Sequence, residues 1–392
     1  MPMRVLLVHN AYQNFGGEDA VLRNEHSLLA EAGYDVDLLR VDNDAIAGAK
    51  EKVKTAFGTP YSWRGRKLVA DRIARFRPDV VHVHNFFPLI SPSLFDATAE
   101  AGVASVWTLH NFRVTCANGF LFRDGRPCEL CVGNTPWPAV VYRCYRDSLL
   151  GSSVVAASIA FHHARGTWRS KVDRFIALND FAASKFVEAG LPADRIRIKP
   201  NFVPDPGVPR APGRSGAIFI GRLSEEKGLR VLIEAWRSVD QHLTIVGTGP
   251  LEVELRAQAP DHVSFAGALP APEIARRLAE SQFLVVPSLW FENFPMVLVE
   301  AFAAGTPALV SGHGALASIV GDDERGLLFE PGCAKSLSSR ATSAFADEKA
   351  LRRMGELARS FYLAHLTPHS SLATLGEIYS EAIAERRAAS LP

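Results

Sequence analysis

The chain has 392 residues, of which 47% are hydrophobic and 22% charged, with a net charge of +1. Such a length exceeds the size at which one core usually stops growing and predicts two domains, and the balanced charge provides no global field to attract nucleic acid. No apolar run reaches the roughly 18 residues of a membrane span; the longest candidate, Val154 to Phe161, reads as a buried helix.

The segment Val5 to His9 is too short in its apolar part for a signal peptide and reads as a first strand. Further strand candidates in the first half are Val36 to Val41, Val80 to His84, Ser105 to Leu109, Phe175 to Leu178 and Ile196 to Ile198, with helical patterns such as Asp19 to Ala32, Gly65 to Phe76 and Phe181 to Ala189 between them. Asn14-Phe15-Gly16-Gly17-Glu18 follows the first strand and opens a helix. Gly16 and Gly17 can therefore turn backbone N–H groups towards a phosphate, the alternative being a plain strand-to-helix turn. His84 and His110 stand at carboxyl ends of strands, the edge that faces a ligand in parallel sheets.

Between Lys50 and Arg77 nine Lys or Arg residues face only Glu51 and Asp71. Such a stretch suits anionic lipid or a lipid-linked diphosphate, or is simply a solvated basic helix. Cys116, Cys128, Cys131 and Cys144 fall in a loop-like insert at about residues 112–146. A C-x2-C pair flanked by one cysteine on each side is a candidate tetrahedral zinc set that would staple a segment lacking its own core; scattered thiols or a redox pair are the other readings. Five cysteines in a chain this long do not form a secreted disulfide framework, so a cytoplasmic location is expected.

Val203 to Gly213 holds four prolines and two glycines and is the best boundary between two domains. Beyond it the strand candidates are Ala217 to Ile220, Leu243 to Val246, Val263 to Ala266, Phe283 to Val286, Pro307 to Val310 and Gly326 to Phe329. Alternation of strands and helices in both halves implies an α/β fold with parallel sheets. The expected domains are residues 1–205, residues 206–370 and a C-terminal helix at 371–392 that packs back on the first domain.

After the first strand of the second half comes Gly221-Arg222-Leu223 with Lys227-Gly228, then Gly247-Thr248-Gly249-Pro250. Arg222 and Lys227 can grip phosphate oxygens. Glu292 and Glu300 flank the start of a helix at Pro295 to Ala304, whose N–H groups and dipole form an anion site. Two carboxylates there do not hold phosphate, and sugar hydroxyls are the better partner. A nucleotide sugar has a diphosphate flanked by two polyols.

This ordered set resembles retaining glycosyltransferases of family 4 (glycosyltransferase group 1), which adopt the GT-B fold of two facing Rossmann-like domains with the active site in the interdomain cleft. The resemblance implies that Arg222 and Lys227 hold the donor diphosphate, that Glu292 binds the donor sugar and Glu300 the ribose, and that Phe294, Pro295, Met296 and Val297 meet phosphates and sugar at the helix start. It further places Leu269 by the base, Gly221 in the donor site, Gly16 and Gly17 at the donor phosphates or the acceptor, and His110 against the sugar near the reacting carbon. The implied reaction is front-face transfer from a nucleotide-diphosphate sugar to a glycan or lipid-linked acceptor, with no catalytic metal and, beyond a structural zinc, no cofactor. The basic stretch from Lys50 to Arg77, unless it is only a solvated helix, would add peripheral contact with the inner face of an anionic membrane. A nucleotide-sugar epimerase on the same scaffold and a non-catalytic nucleotide-sugar-binding subunit are the competing functions.

Overall fold

Residues 2–11, 16–43, 55–56, 58–207 and 213–389 are described by a computed structural model. Asn14 and Phe15 of the glycine turn, Lys50, Lys52 and Lys54 of the basic stretch, and residues 208–212 of the predicted linker lie outside them.

Among the described residues, twelve of the fourteen strands build two parallel sheets of six. In the first, β1 (Arg4–Ala11), β2 (Asp35–Asp42), β3 (Val80–Asn85), β4 (Ala104–Thr108), β7 (Arg174–Ala177) and β8 (Ile196–Ile198) run in the order β2-β1-β3-β4-β7-β8. β5 (Phe122–Arg123) and β6 (Arg126–Pro127) form a separate small antiparallel hairpin. The second sheet takes β9 (Ala217–Ile220), β10 (Leu243–Val246), β11 (Val263–Gly267), β12 (Phe283–Val286), β13 (Ala308–Ser311) and β14 (Gly326–Phe329) in the order β11-β10-β9-β12-β13-β14. Inner strands such as β3, β4, β12 and β13 are buried at every residue, because helices cover both faces and leave no polar alternation.

The chain divides into two compact units, one of Met1–Leu121, Glu129–Pro200 and Ser371–Pro392, the other of Phe122–Cys128 and Asn201–Ser370. The sequence puts the whole cysteine insert in the first domain, whereas the β5–β6 hairpin groups with the second. Within the first unit, the C-terminal helix Pro368–Ala389 lays Leu375, Ile378, Tyr379 and Ala382 into the cluster of Val5, Leu7, Leu22 and Val80. Their spacing keeps them on one helical face. In the second unit the helix Leu229–Trp236 buries Leu232, Ile233 and Trp236 against Phe219, Ile245 and Leu337. The apolar run Val154 to Phe161 falls inside the helix Leu149–Ala164. No helix of the described residues is long and apolar enough to cross a membrane.

Candidate functional site

The strand order of the second unit reverses between β9 and β12, both of which grow from the middle of the sheet. Ligands in open α/β sheets bind outside the strands' carboxyl ends at such a switch point. Arg222 follows β9 directly, is exposed, and makes no side-chain hydrogen bond or ion pair among the described residues. Its loop is held by backbone: Gly221 N–H donates to Val246 at 3.0 Å and Leu223 N–H to Thr248 at 3.0 Å. The crossing is so close that a Cβ on Gly247 would lie 1.9 Å from the Gly221 carbonyl oxygen, and one on Gly249 2.4 Å from that of Leu223. These glycines are there for backbone approach.

Lys227 ends a short 3-10 turn, Glu225–Lys227, and reaches the loop after β12, where its Nζ donates to Glu292 Oε1 at 2.7 Å. Ser288 Oγ donates to the same oxygen at 2.7 Å, and His313 bonds the Ser288 carbonyl at 3.0 Å. The two loops are also tied by Leu289 N–H to the Glu226 carbonyl at 2.8 Å. Burial pushes the Glu292 carboxyl up, but the charge and bond of Lys227 with the bond of Ser288 outweigh it and hold Glu292 below the usual carboxylate range. Glu300, in the helix Met296–Ala303, makes no side-chain hydrogen bond or ion pair among the described residues, and burial pushes its carboxyl up to about 7. Pro295 caps that helix, so Met296 and Val297 open it with first-turn N–H groups that have no intrahelical acceptor, and Phe294 precedes them half-buried. Leu269 lies half-buried past the end of β11, whose Gly267 carbonyl accepts from Gly247 N–H at 2.7 Å.

In the first unit Gly16 caps the helix Gly17–Glu31, but its N–H is already taken by Asp19 Oδ2 at 3.0 Å, leaving exposed Gly17 as the freer of the pair. Asp19 is fixed in turn by His9 Nε2 at 3.0 Å. His110 is half-buried just past β4, with its Nε2 3.0 Å from His84 Nδ1 and the two rings stacked at 5.2 Å. His84 is almost wholly buried, with its Nδ1 turned to His110. His110 also lines a cavity of about 40 Å³ with Trp107, Asn111 and Arg113.

The expected zinc set is not assembled. Among the described residues no three of the thiols come within 4.8 Å of one another. Cys131 and Cys144 instead pack against Ala117 and Ala139 of the insert and Val155 and Ile159 of the helix Leu149–Ala164. The buried Cys116 thiol donates to Asn118 Oδ1 at 3.0 Å, and Cys128 follows the hairpin in the segment Phe122–Cys128 that groups with the second unit.

Sequence reasoning overlooked Ser288 and His313, which orient Glu292, and Glu25, His82 and Lys199, which lie behind His84. Glu25 left a trace: it falls on the buried stripe of Val21, Leu22 and Leu29, where a carboxylate needs a partner.

Two family descriptions match the chain, Glycosyltransferase Family 4 over residues 15–205 and Glycosyl transferases group 1 over residues 208–361. The phosphatidyl-myo-inositol mannosyltransferase of Mycobacterium leprae is 34% identical over 187 residues, which covers 44% of this chain and 49% of that protein. The chain thus spans about half the length of the curated relatives it matches. Among solved structures, sucrose-phosphate synthase from Thermosynechococcus elongatus superposes with a TM-score of 0.71 at 18% identity, covering 98% of this chain and all of that one. Anabaena HepE in complex with UDP gives a TM-score of 0.67 at 15% identity over 96% of this chain and 100% of that one. These likenesses establish the GT-B fold of two Rossmann-like domains. With both halves of its sequence matched in order, the chain belongs to the glycosyltransferases of family 4, group 1.

Proposed function

We propose that this protein transfers a sugar from a nucleoside-diphosphate sugar to a glycan or lipid-linked acceptor, with retention of anomeric configuration. The observation that carries the reading is the pairing at the switch point of the second sheet. Arg222 is a cation whose side chain has no partner among the described residues, on the loop after β9 that leads to Lys227, and Lys227 is paired with Glu292 at 2.7 Å. Arg222 suits the planar, bidentate grip of a diphosphate, with Lys227 as a point charge beside it. Glu292, kept ionised, offers acceptors to the hydroxyls of the donor sugar, and the unpartnered Glu300 does the same for the ribose. The first-turn N–H groups of Met296 and Val297 add to the anion site. Leu269 would lie by the base, Gly16 and Gly17 would meet phosphate, and His110 the sugar near the reacting carbon. Support for a nucleotide donor comes from HepE, solved with UDP on a similar fold.

Glu292 is tied to Lys227 and Ser288 and so is not a free covalent nucleophile, while Glu300 is assigned to the ribose and not to the reacting carbon. The departing phosphate then accepts the acceptor's proton while the cations stabilise its developing charge. Arg222→Ala should lower turnover by about 10²–10³, as loss of one preorganised donor does. Release of free nucleoside diphosphate, with and without acceptor, is the measurement; undiminished turnover would sink the assignment. Product NMR reads the anomeric configuration, and inversion would contradict the mechanism.

A lipid-linked acceptor is favoured by Trp63 at 69% and Leu150 at 71% exposure, and by the lipid in the name of the mycobacterial relative. The basic stretch contributes less than its charge count suggests, because Arg66, Lys67 and Arg72 pair with Glu100, Asp71 and Asp37. Sedimentation with vesicles should show binding that grows with anionic lipid content; equal partitioning would remove the membrane from the proposal.

A further inference from the structure

A chain of buried polar groups stands behind His110 in the first unit. Glu25, His82, His84 and Lys199 are each at most 2% exposed. Lys199 Nζ donates to Glu25 Oε2 at 3.0 Å, while Glu25 Oε1 faces His82 Nδ1 at 3.0 Å and His84 Nε2 at 3.2 Å. His84 Nδ1 then meets His110 Nε2 at 3.0 Å. Glu25, His82 and His84 are close enough to share a metal ion. However, Lys199 already neutralises that carboxylate, and the His82 ring is engaged by Tyr379 at 2.8 Å and Thr108 at 2.7 Å. A second cation beside Lys199 in a closed interior is the costlier arrangement.

The protons of this chain can be placed one by one. Burial pushes the Glu25 carboxyl up, but Lys199, His82 and His84 overcome it and hold it well below the usual range. His84 Nε2 and Glu25 Oε1 approach at 3.2 Å without the alignment of a hydrogen bond, but a carboxylate oxygen repels a lone pair, so the His84 nitrogen facing it carries the hydrogen. Burial drives His84 down to about 4 and His110 well below its ordinary value, so each ring is neutral and has one N–H. His84 Nδ1 is therefore a lone pair, and the hydrogen between the rings belongs to His110 Nε2. The other nitrogen of His110, Nδ1, makes no hydrogen bond among the described residues.

We propose that Glu25 and His84 are positioning residues that lock His110 in its Nε2–H tautomer, so that Nδ1 meets a ligand only as a hydrogen-bond acceptor. The role in recognition rests on the placement of His110 against the donor sugar proposed above; the tautomer does not. An acceptor nitrogen selects a hydroxyl that can donate and discriminates against an analogue with fluorine in its place, because a buried acceptor is then left unpaired.

Nitrogen NMR of the full chain labelled with ¹⁵N-histidine, without ligand between pH 6 and 8, should show His110 with Nε2 protonated and Nδ1 unprotonated. His110→Asn identifies its signals. Protonation at Nδ1 overturns the proposal. Replacing Glu25 and Lys199 together, E25L with K199M, removes the acceptor without stranding a charge and should let the His110 tautomers mix; an unchanged single tautomer in that folded variant also overturns it. The wild-type spectrum is decisive even where the double variant fails to fold. If His110→Asn keeps full donor turnover while the wild-type tautomer is as described, the donor-site reading fails and the lock stands. If turnover is lost and the wild-type tautomer is the opposite one, the lock fails and the donor-site reading stands.

Discussion

Glu292 and Glu300 are eight residues apart and live in opposite electrostatic settings. Glu292 is kept ionised by Lys227 and Ser288, so Glu292→Gln both weakens the acceptor for the sugar and releases Lys227. A fall in turnover of about 10²-fold or more is expected in the nucleoside-diphosphate assay; a neutral result would remove the sugar-binding role. Glu300 has no such partner, and burial raises it to about 7 from its ordinary 4.5. The folded state then binds this proton more tightly than the unfolded chain, so stability is fullest below about pH 4.5 and declines as pH rises to about 7, by roughly 3 kcal/mol. Glu300→Gln should therefore raise the melting temperature at pH 8 and leave it nearly unchanged at pH 4.5, as differential scanning calorimetry would read. If ribose hydroxyls bind the carboxylate, nucleotide affinity in the wild type should weaken by up to about tenfold between pH 8 and pH 6 beyond any change in the variant. Parallel pH profiles would argue against the ribose role.

At the scale of elements, the loops after β9, β10 and β12 are fastened to one another by backbone, and glycine makes the fastening feasible. Gly247 has φ +127° and its missing Cβ would clash with the Gly221 carbonyl oxygen at 1.9 Å, whereas Gly267, with φ +69°, has nothing within 4 Å. Gly247→Ala should cost at least about 2 kcal/mol and displace Arg222, while Gly267→Ala carries only the left-handed backbone penalty of about 1–2 kcal/mol. Urea midpoints of the two variants test the contrast; equal losses would show that the close crossing is unimportant. The sequence announced these loops through Gly-x-Gly and Gly-Arg-Leu spacing, and each predicted strand of the second half lies within a residue or so of its place. It did not announce that the 3-10 turn at Lys227 would lean on the loop carrying Glu292, 65 residues away. Local pattern fixes an element and its ends, while the partner of a side chain depends on which strands become neighbours. The cysteine insert shows the reverse error: a C-x2-C spacing suggested zinc, but apolar residues of the helix Leu149–Ala164 supply the core that the metal would have replaced.

For the whole molecule, the C-terminal helix is the element on which the first unit depends. Leu375, Ile378, Tyr379 and Ala382 are all buried in the cluster of β1 and β3, and the Tyr379 hydroxyl touches His82 Nδ1 at 2.8 Å. Large apolar side chains each contribute about 1.5–3 kcal/mol on burial, so losing Leu375, Ile378 and Tyr379 together rivals the whole stability of a typical domain, about 5–15 kcal/mol. Truncation after Ser370 should abolish the cooperative unfolding of the first unit and leave that of the second, as hydrogen exchange resolved by residue would show; protection persisting in β1 and β3 would refute this. The amino-acid sequence by itself determined the α/β class, the alternation of strands and helices in two halves, and the cations and carboxylates of the second half, because period and turn chemistry are local. Only the tertiary structure decided that Glu292 is paired and Glu300 is not, that the four cysteines do not converge, and that Glu25, His84 and Lys199 stand in line behind His110. Those facts depend on burial and on contacts between residues up to 174 positions apart, and neither is carried by any short stretch of chain.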